Sequence, residues 1–223
     1  MNPPLRSLLL AGATGLIGHA ALAQALALPG LQDLHALLRR RPPGWPSDPR
    51  LHALTVDFQA LPTLPAADAA LCALGTTIKV AGSQAAFRAV DFDAVLAFAQ
   101  AARSAGVTRF AVVSALGADS ESAVFYNRVK GEMETALRSL GFASLLIARP
   151  SLLVGDRAAL GQPVRAGERF GLAISQPLSW LIPQAWLPIE AAVVARALLR
   201  GLAEGRPGAQ VLESADLQSR GRA

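Results

Sequence analysis

This chain has almost none of the residues that would cross-link it or bind a metal. Cys72 is its one cysteine, so no internal disulfide can form, and a cytoplasmic location is the default expectation. One cysteine and three unclustered histidines give no zinc-ligand pattern. No apolar run approaches the roughly 18 residues of a membrane-spanning helix, so we expect no membrane association.

Aromatic residues and lysines are also scarce. Aromatics make up 5% of the chain, so the core must consist of alanine, leucine and valine. Lysine occurs only at Lys79 and Lys130, and the net charge of +5 comes mainly from arginine. The arginines are scattered and accompany no nucleic-acid-binding motif, which disfavours a nucleic-acid partner. Solvated surface and an anionic cofactor account better for this charge.

The clearest motif lies near the N-terminus, where residues 8–18 read LLLAGATGLIG. The apolar run predicts a buried strand, and Leu16–Leu28 predicts a helix. Gly12 would form the tight turn, Gly15 would let a pyrophosphate approach, and Gly18 would bring the helix against the strand. The free N–H groups at the helix start would hold the phosphates. The cofactor-binding residues predicted here are Gly12, Thr14, Gly15, Leu16, Ile17 and Gly18.

The second predicted strand, Leu34–Leu38, ends at Arg39 and Arg40. In a dinucleotide-binding fold, an acidic residue here binds the ribose 2′-hydroxyl of NAD, whereas arginine accommodates the 2′-phosphate of NADP. No acidic residue stands at this place. The sequence therefore predicts NADP(H) in preference to NAD(H).

The ends of the third and fourth predicted strands complete the cofactor site. After Leu51–Val56, Asp57 and Phe58 would flank the adenine ring. The strand Ala69–Leu74 leads into a loop of small residues that would border the second ribose and the diphosphate. The predicted cofactor contacts in this loop are Leu74, Gly75, Thr76 and Thr77.

Helices and strands continue to alternate beyond this loop. A helix is predicted over Gln84–Ala105, followed by a fifth strand at Phe110–Val113. A further helix is predicted over Ala123–Leu140, followed by a sixth strand at Leu145–Ala148. Alternation of this kind predicts an α/β fold with a doubly wound parallel sheet, the NAD(P)-binding Rossmann fold.

The pattern weakens after residue 150. We expect a single domain over 1–223, with a dinucleotide-binding core at 1–150 and a small substrate-side cap at 151–223. Pro163, Pro177, Pro183 and Pro188 would break the cap into short pieces, and Phe170, Trp180 and Trp186 also fall within it. A last helix is predicted over Ile189–Ala203, and the polar tail after Glu213 is expected to fray.

Tyr126 and Lys130 form the candidate catalytic pair. They stand four residues apart on a predicted helix and so share one face. A neighbouring ammonium stabilises a phenolate, so Lys130 would make Tyr126 an acid/base, and both would also contact the cofactor. Ser114, at the end of the preceding strand, would bind a substrate carbonyl.

Taken together, these motifs resemble the short-chain dehydrogenase/reductase superfamily in its atypical branch. Within it the chain is most similar to the Tat-interacting-protein-like group, the metastasis-suppressor type of NADPH-binding proteins. The resemblance covers about residues 6–160. It rests on AGATGLIG at 11–18, LLRR at 37–40, CALGTT at 72–77, AGSQAAFRAVDFDAVLAFAQAARSAGV at 81–107, VSALGAD at 113–119, YNRVKGEME at 126–134 and ARPSLLVGDR at 148–157.

The resemblance implies a Rossmann fold, NADP(H) and a Ser-Tyr-Lys catalytic set, whose roles carry to Ser114, Tyr126 and Lys130. Cofactor roles carry to Gly12, Gly15, Gly18 and Arg39. Similar proteins often have a second serine after the strand, where this chain has Ala115. If that second serine is the catalytic one in similar proteins, Ser114 does not simply replace it.

Three functions follow as alternatives. The first is an NADP(H)-dependent oxidoreductase acting on a carbonyl or alcohol. The second is an NADPH-loaded sensor that regulates a partner protein with little turnover. The third is an enzyme similar to nucleotide-sugar epimerases. A small-molecule substrate of undefined identity is expected for an enzyme, and a homodimer or protein partner is compatible with each alternative.

Overall fold

The computed structural model describes residues 4–155 and 187–222. Its strands are β1 (Ser7–Ala11), β2 (Asp33–Leu38), β3 (Leu51–Thr55), β4 (Ala69–Cys72), β5 (Arg109–Val113), β6 (Ser144–Arg149), β7 (Leu153–Val154), β8 (Ile189–Glu190) and β9 (Gly208–Glu213). Its helices are α1 (Leu16–Leu26), α2 (Ile78–Ala81), α3 (Gln84–Arg88), α4 (Val95–Ser104), α5 (Phe125–Arg138), α6 (Ala191–Glu204) and α7 (Ser214–Arg222).

Seven of these strands form one parallel sheet in the order β3-β2-β1-β4-β5-β6-β9. The chain builds outward from β1 to β3 and then returns to add β4 on the other side of β1. This reversal leaves a crevice at the carboxyl ends of β1 and β4, which is where such sheets bind ligands. The doubly wound parallel sheet predicted from the sequence is confirmed.

Apolar side chains on both faces of the sheet explain why helices cover both. Leu8 and Leu10 of β1 belong to one core cluster, which includes residues of α1 and α6. Leu9 and Ala11 belong to the other, which includes residues of α4 and α5. All four side chains are completely buried, as expected for the central strand of a parallel sheet.

The helix predicted over Gln84–Ala105 is interrupted. A π-helical turn at Ala89–Ala94 separates α3 from α4. Such a turn inserts a residue into the helical register and so changes which side chains face inward. Asp91 within it is completely buried.

The C-terminal residues differ most from expectation. Instead of belonging to a separate cap, β9 extends the main sheet beside β6, and α6 packs on α1. The tail after Glu213 is the helix α7, in which Leu217 and Gln218 are buried. A Cβ on Gly221 would lie 2.2 Å from the Val193 carbonyl oxygen, so α7 packs very closely against α6.

The predicted cap residues Phe170, Trp180 and Trp186, with the prolines at 163, 177 and 183, lie outside the described residues. Among the helices at 4–155 and 187–222, none is long and apolar enough to cross a membrane.

Candidate functional site

The glycine turn after β1 is built so tightly that two of its glycines are required by the fold. Gly12 has φ +86°, and a Cβ there would lie 2.5 Å from the carbonyl carbon and oxygen of Ala73. A Cβ on Gly18 would lie 2.0 Å from the Gly12 carbonyl oxygen. Real Cβ atoms do not come this close, so the turn can lie against Ala73 only because Gly12 lacks a side chain, and α1 can lie against the turn only because Gly18 lacks one.

Gly15 has a different role in the same turn. Its backbone is extended, with φ −81° and ψ 170°, and it stands at the N-cap of α1 without a capping side chain. The first N–H groups of the helix, at Leu16, Ile17 and Gly18, have no carbonyl acceptor within it. No acidic residue occupies the first turn, so this positive helix end suits a phosphate. Thr14 is exposed at the tip of the turn.

Arg39 and Arg40 follow the carboxyl end of β2 and are exposed. Neither guanidinium makes a hydrogen bond or ion pair within the described part of the chain. Both are therefore available to an anion beside the crevice.

At the end of β3, only one of the two predicted adenine contacts faces solvent. Asp57 is exposed, and its Oδ1 accepts a hydrogen bond from the Gln59 N–H at 2.9 Å. Phe58 is buried in the core cluster with Val56 and Leu64. The predicted contact of Phe58 with adenine is therefore not supported, because the hydrophobic core takes up its ring.

The loop Leu74–Thr77, called here the β4 loop, follows the carboxyl end of β4. Gly75 is exposed, and Leu74, Thr76 and Thr77 are half-buried. The Thr77 hydroxyl accepts a hydrogen bond from the Val80 N–H at 3.2 Å and so caps α2. The Thr76 N–H donates to Asp91 Oδ2 at 2.8 Å, which ties the β4 loop to the π-helical turn.

Tyr126 and Lys130 lie on adjacent turns of α5, as their spacing predicts. The Tyr126 ring packs against Phe87, with 5.2 Å between ring centroids. Its hydroxyl makes no hydrogen bond to any residue that the structure describes. Lys130 is buried, and its Nζ lies 2.7 Å from Asp91 Oδ1. Although burial opposes the charged form, the neighbouring Asp91 carboxylate raises the pKa of Lys130 above its ordinary value, so Lys130 stays an ammonium ion.

Ser114 lies at the end of β5, as predicted, but its hydroxyl has a protein acceptor. It donates to Glu134 Oε1 at 2.6 Å, and both residues are buried. Glu134 also accepts two hydrogen bonds from Arg149, at 2.9 Å from Nε and 2.7 Å from Nη2. These bonds raise the pKa of the Arg149 guanidinium further above its ordinary value.

Glu134 stands eight residues after Tyr126 on α5. At 1.5 Å per residue, that separation is about 12 Å along the helix axis. Ser114 therefore donates its proton to a residue that lies two helical turns beyond Tyr126 along α5. A catalytic role for Ser114 therefore stays a prediction, and it would require the hydroxyl to release Glu134 and donate to the substrate instead.

Sequence reasoning missed both buried carboxylates, Asp91 and Glu134. Glu134 had a signal, because it continues the four-residue spacing of Tyr126 and Lys130 on one helix face. Asp91 had none, since it stands far from Lys130 in sequence and within an irregular turn. Cys72 is inert, as expected: burial raises the pKa of its thiol to about 12. In the two described ranges, no group of His, Cys, Asp or Glu has the arrangement of a metal site.

Comparison with known proteins agrees with this geometry. The profile of a family described as NAD(P)H-binding matches residues 12–175. The chain is 33% identical to the protein "fmp52, mitochondrial" of Emericella nidulans over 171 residues, which span 72% of each protein. It is 36% identical to the protein HTATIP2 of Rattus norvegicus over 164 residues, which span 71% of this chain and 64% of that one. The resemblance to the Tat-interacting-protein-like group is confirmed.

A solved structure of MoeE5 in complex with UDP-glucose and NAD has a similar fold. It aligns with a TM-score of 0.69 at 18% identity, covering 92% of this chain and 75% of that one. At this identity the likeness shows the Rossmann-type fold alone.

The expected cytoplasmic location is wrong as a default, because the FMP52 relatives are named mitochondrial. A single cysteine excludes an internal disulfide, but it does not identify a compartment. The family match supports a nicotinamide cofactor and an enzyme of the oxidoreductase type, without deciding between NAD and NADP. By the family profile and by its relatives, the chain belongs to the NAD(P)H-binding family.

Proposed function

We propose that this protein is an NADP(H)-dependent oxidoreductase of the short-chain dehydrogenase type. The observation that carries the proposal is a lysine ammonium buried one helical turn from the half-buried Tyr126, at the carboxyl edge of the sheet. The glycine turn and the β4 loop border the same crevice. The cofactor supplies the hydride chemistry when bound, and the protein orients the reactants and moves the proton.

Tyr126 is the proposed acid/base. In the direction of reduction, its O–H bond breaks and the proton passes to the substrate carbonyl oxygen, while hydride reaches the carbonyl carbon. The resulting phenolate is stabilised by the Lys130 ammonium nearby. The hydroxyl has no hydrogen-bond partner among residues 4–155 and 187–222, so no described protein group competes for that proton.

NADP(H) is preferred to NAD(H) in this proposal because Arg39 and Arg40 follow β2. Their guanidinium groups are exposed and uncommitted, and guanidinium groups bind phosphate with planar, permanently charged donors. Leu16, Ile17 and Gly18 would donate N–H groups to the pyrophosphate.

The second candidate is an NADPH-loaded sensor with little turnover. One observation favours it: Ser114 donates its proton to Glu134, and the next residue is Ala115, at the place where the resemblance implies a second serine. A carbonyl substrate would then lack the hydroxyl donor that the resemblance implies.

Tyr126→Phe separates the two candidates, since it removes one hydroxyl and almost no packing. NADPH binding should be retained, while carbonyl reduction should fall by about 10²–10⁴-fold, the usual contribution of positioned proton transfer. Initial rates with NADPH would be measured on a panel of ketones, aldehydes and quinones. Lys130→Met should lower the rate and weaken NADPH binding, with Lys79→Met as the exposed-lysine control. Equal rates for wild type and Tyr126→Phe would exclude Tyr126 from the mechanism, and wild type that binds NADPH but reduces nothing would favour the sensor.

A further inference from the structure

Asp91 is a completely buried carboxylate that links two parts of the candidate site. It lies in the π-helical turn at Ala89–Ala94. One oxygen, Oδ1, is 2.7 Å from Lys130 Nζ, and the other, Oδ2, accepts the Thr76 N–H at 2.8 Å. The carboxylate therefore joins the ammonium on α5 to the backbone of the β4 loop.

The β4 loop passes directly over this ion pair. A Cβ on Gly75 would lie 3.3 Å from Asp91 Oδ1 and 3.9 Å from Lys130 Nζ. Lys130 has three N–H donors. Nζ forms an ion pair with Asp91 Oδ1, and the Val113 carbonyl oxygen is a distant hydrogen-bond acceptor at 3.5 Å. At least one donor therefore has no protein acceptor that the structure describes.

Three titratable groups surround the Lys130 ammonium: Asp91 from the π-helical turn, Tyr126 from α5 and Cys72 from β4. Cys72 stays a neutral thiol, because burial raises its pKa to about 12. Burial alone would drive Lys130 towards the neutral amine. The carboxylate of Asp91, 2.7 Å from Nζ, is thus the group that compensates the buried ammonium.

We propose that Asp91 is a positioning residue for Lys130, which it holds charged and fixed beneath the β4 loop so that a free N–H can reach the hydroxyls of the cofactor's nicotinamide ribose. This inference rests on the proposed function for its cofactor part only. A merely structural role would need the hydrogen bond to Thr76 but not the negative charge. Asp91→Asn separates the two, since an asparagine oxygen can still accept the Thr76 N–H.

The chain has only two lysines, which makes the charge of Lys130 directly measurable. Protein labelled with ¹³C-lysine gives two side-chain signals in an NMR pH titration, and Lys79→Arg assigns them. In the wild type, the Lys130 signal should remain that of the ammonium form well above neutral pH. In Asp91→Asn the Lys130 midpoint should fall by at least about one pH unit, because burial then acts without compensation. The control is Asp93→Asn, which removes an exposed carboxylate from the same turn.

The cofactor part is tested by NADPH titrations of the same proteins one pH unit below and one pH unit above the Lys130 midpoint measured for Asp91→Asn. At the higher pH, where Lys130 is mostly neutral in Asp91→Asn and still largely charged in Asp93→Asn, Asp91→Asn should bind NADPH at least about fivefold more weakly than the control, and the difference should nearly vanish at the lower pH, where Lys130 regains its proton. An Asp91→Asn protein with an unchanged Lys130 midpoint, or with the NADPH affinity of the control at both pH values, would overturn the proposal.

Two outcomes need no folded variant. Wild-type Lys130 that is neutral at pH 7 would overturn the proposal by itself. Wild-type protein that binds no NADPH would refute the proposed function, and the lysine titration, which uses no cofactor, distinguishes that failure from a failure of the Asp91–Lys130 coupling.

Discussion

Replacing Gly15 by valine should remove cofactor binding while leaving the protein folded. The native backbone at Gly15, with φ −81° and ψ 170°, is an extended conformation that valine adopts readily. A Cβ there would meet only the Gly12 carbonyl oxygen at 3.3 Å and the Ala73 carbonyl oxygen at 4.0 Å. The branched side chain would instead occupy the space in front of the first N–H groups of α1, where the pyrophosphate is proposed to bind.

The expected magnitudes differ for binding and for stability. Loss of two charge-assisted hydrogen bonds, at roughly 1.5–3 kcal/mol each, is about 3–6 kcal/mol, or two to four decades in Kd. This loss should be similar for NADPH and NADH, because both carry the pyrophosphate. Valine at a helix N-cap costs about 1 kcal/mol relative to glycine, which for a domain of this size lowers Tm by roughly 2–4 °C.

Gly18→Ala is the matched control. Its methyl group would lie 2.0 Å from the Gly12 carbonyl oxygen, so the turn itself must move, and Tm should fall further than in Gly15→Val. Kd would be measured by NADPH fluorescence and Tm by circular dichroism. A folded Gly15→Val protein that binds NADPH within threefold of the wild type would refute the assignment of this turn to the pyrophosphate.

The remaining predictions concern cofactor choice, Ser114 and pH. Alanine at both Arg39 and Arg40 should weaken NADPH binding by about one to two decades and leave NADH binding nearly unchanged. The exposed Arg41→Ala is the control, and a wild type that prefers NADH in the same titration contradicts the assignment of Arg39 and Arg40 to the 2′-phosphate. Ser114→Ala should lower the free energy of unfolding in urea by about 1–3 kcal/mol, because Glu134 loses a donor, and should leave cofactor affinity unchanged; a lower rate at unchanged stability would instead assign the hydroxyl to the substrate. The pKa of His35 is lowered from 6.5 by burial and by the neighbouring His52. The stability that neutral His35 contributes is therefore fully present above the pKa of the unfolded chain, and it is lost as the pH falls through the lower pKa of the folded protein. The free energy of unfolding in urea, measured between pH 5 and 8, should show this loss in the wild type and in the exposed-histidine control His19→Gln, and less of it in His35→Gln. Equal pH profiles for the three proteins would exclude His35 as the source of the pH dependence.

The sequence predicted the sheet well where apolar runs and glycines coincide. Leu8–Ala11 differs from β1 by one residue, and the turn glycines lie where their spacing required. The prediction failed at β9 and α7, where local signals are weak. The strand Gly208–Glu213 is largely exposed or half-buried at the sheet edge. In α7 a single leucine, Leu217, is the large apolar anchor, so its stability comes from packing on α6 and not from periodicity.

The site was predictable to the extent that its residues lie on one helix or follow one strand. The spacing of Tyr126 and Lys130 needs no tertiary information. The position of Asp91 depends on a π-helical turn, for which sequence periodicity gives no signal. The contact of Ser114 with Glu134 depends on how β5 and α5 pack. The types and order of the residues predicted which functional groups the site contains. They did not predict which hydrogen-bond acceptor each hydroxyl contacts in the folded protein.

Helix α5 presents Tyr126, Lys130 and Glu134 on one face, and each meets a different element of the fold. Tyr126 packs on Phe87 of α3, Lys130 pairs with Asp91, and Glu134 binds Ser114, which directly follows β5, and Arg149 of β6. Buried ion pairs are weak contributors to net stability, because desolvation offsets their attraction.

What two such pairs on adjacent turns do provide is a fixed rotation and axial position for the helix. We infer that this fixation matters most at Tyr126, whose hydroxyl has no hydrogen bond of its own in the described residues and is positioned only by its neighbours. A loss of rate in a Glu134 or Arg149 variant would therefore report the displacement of Tyr126, and it should appear in kcat before it appears in cofactor affinity.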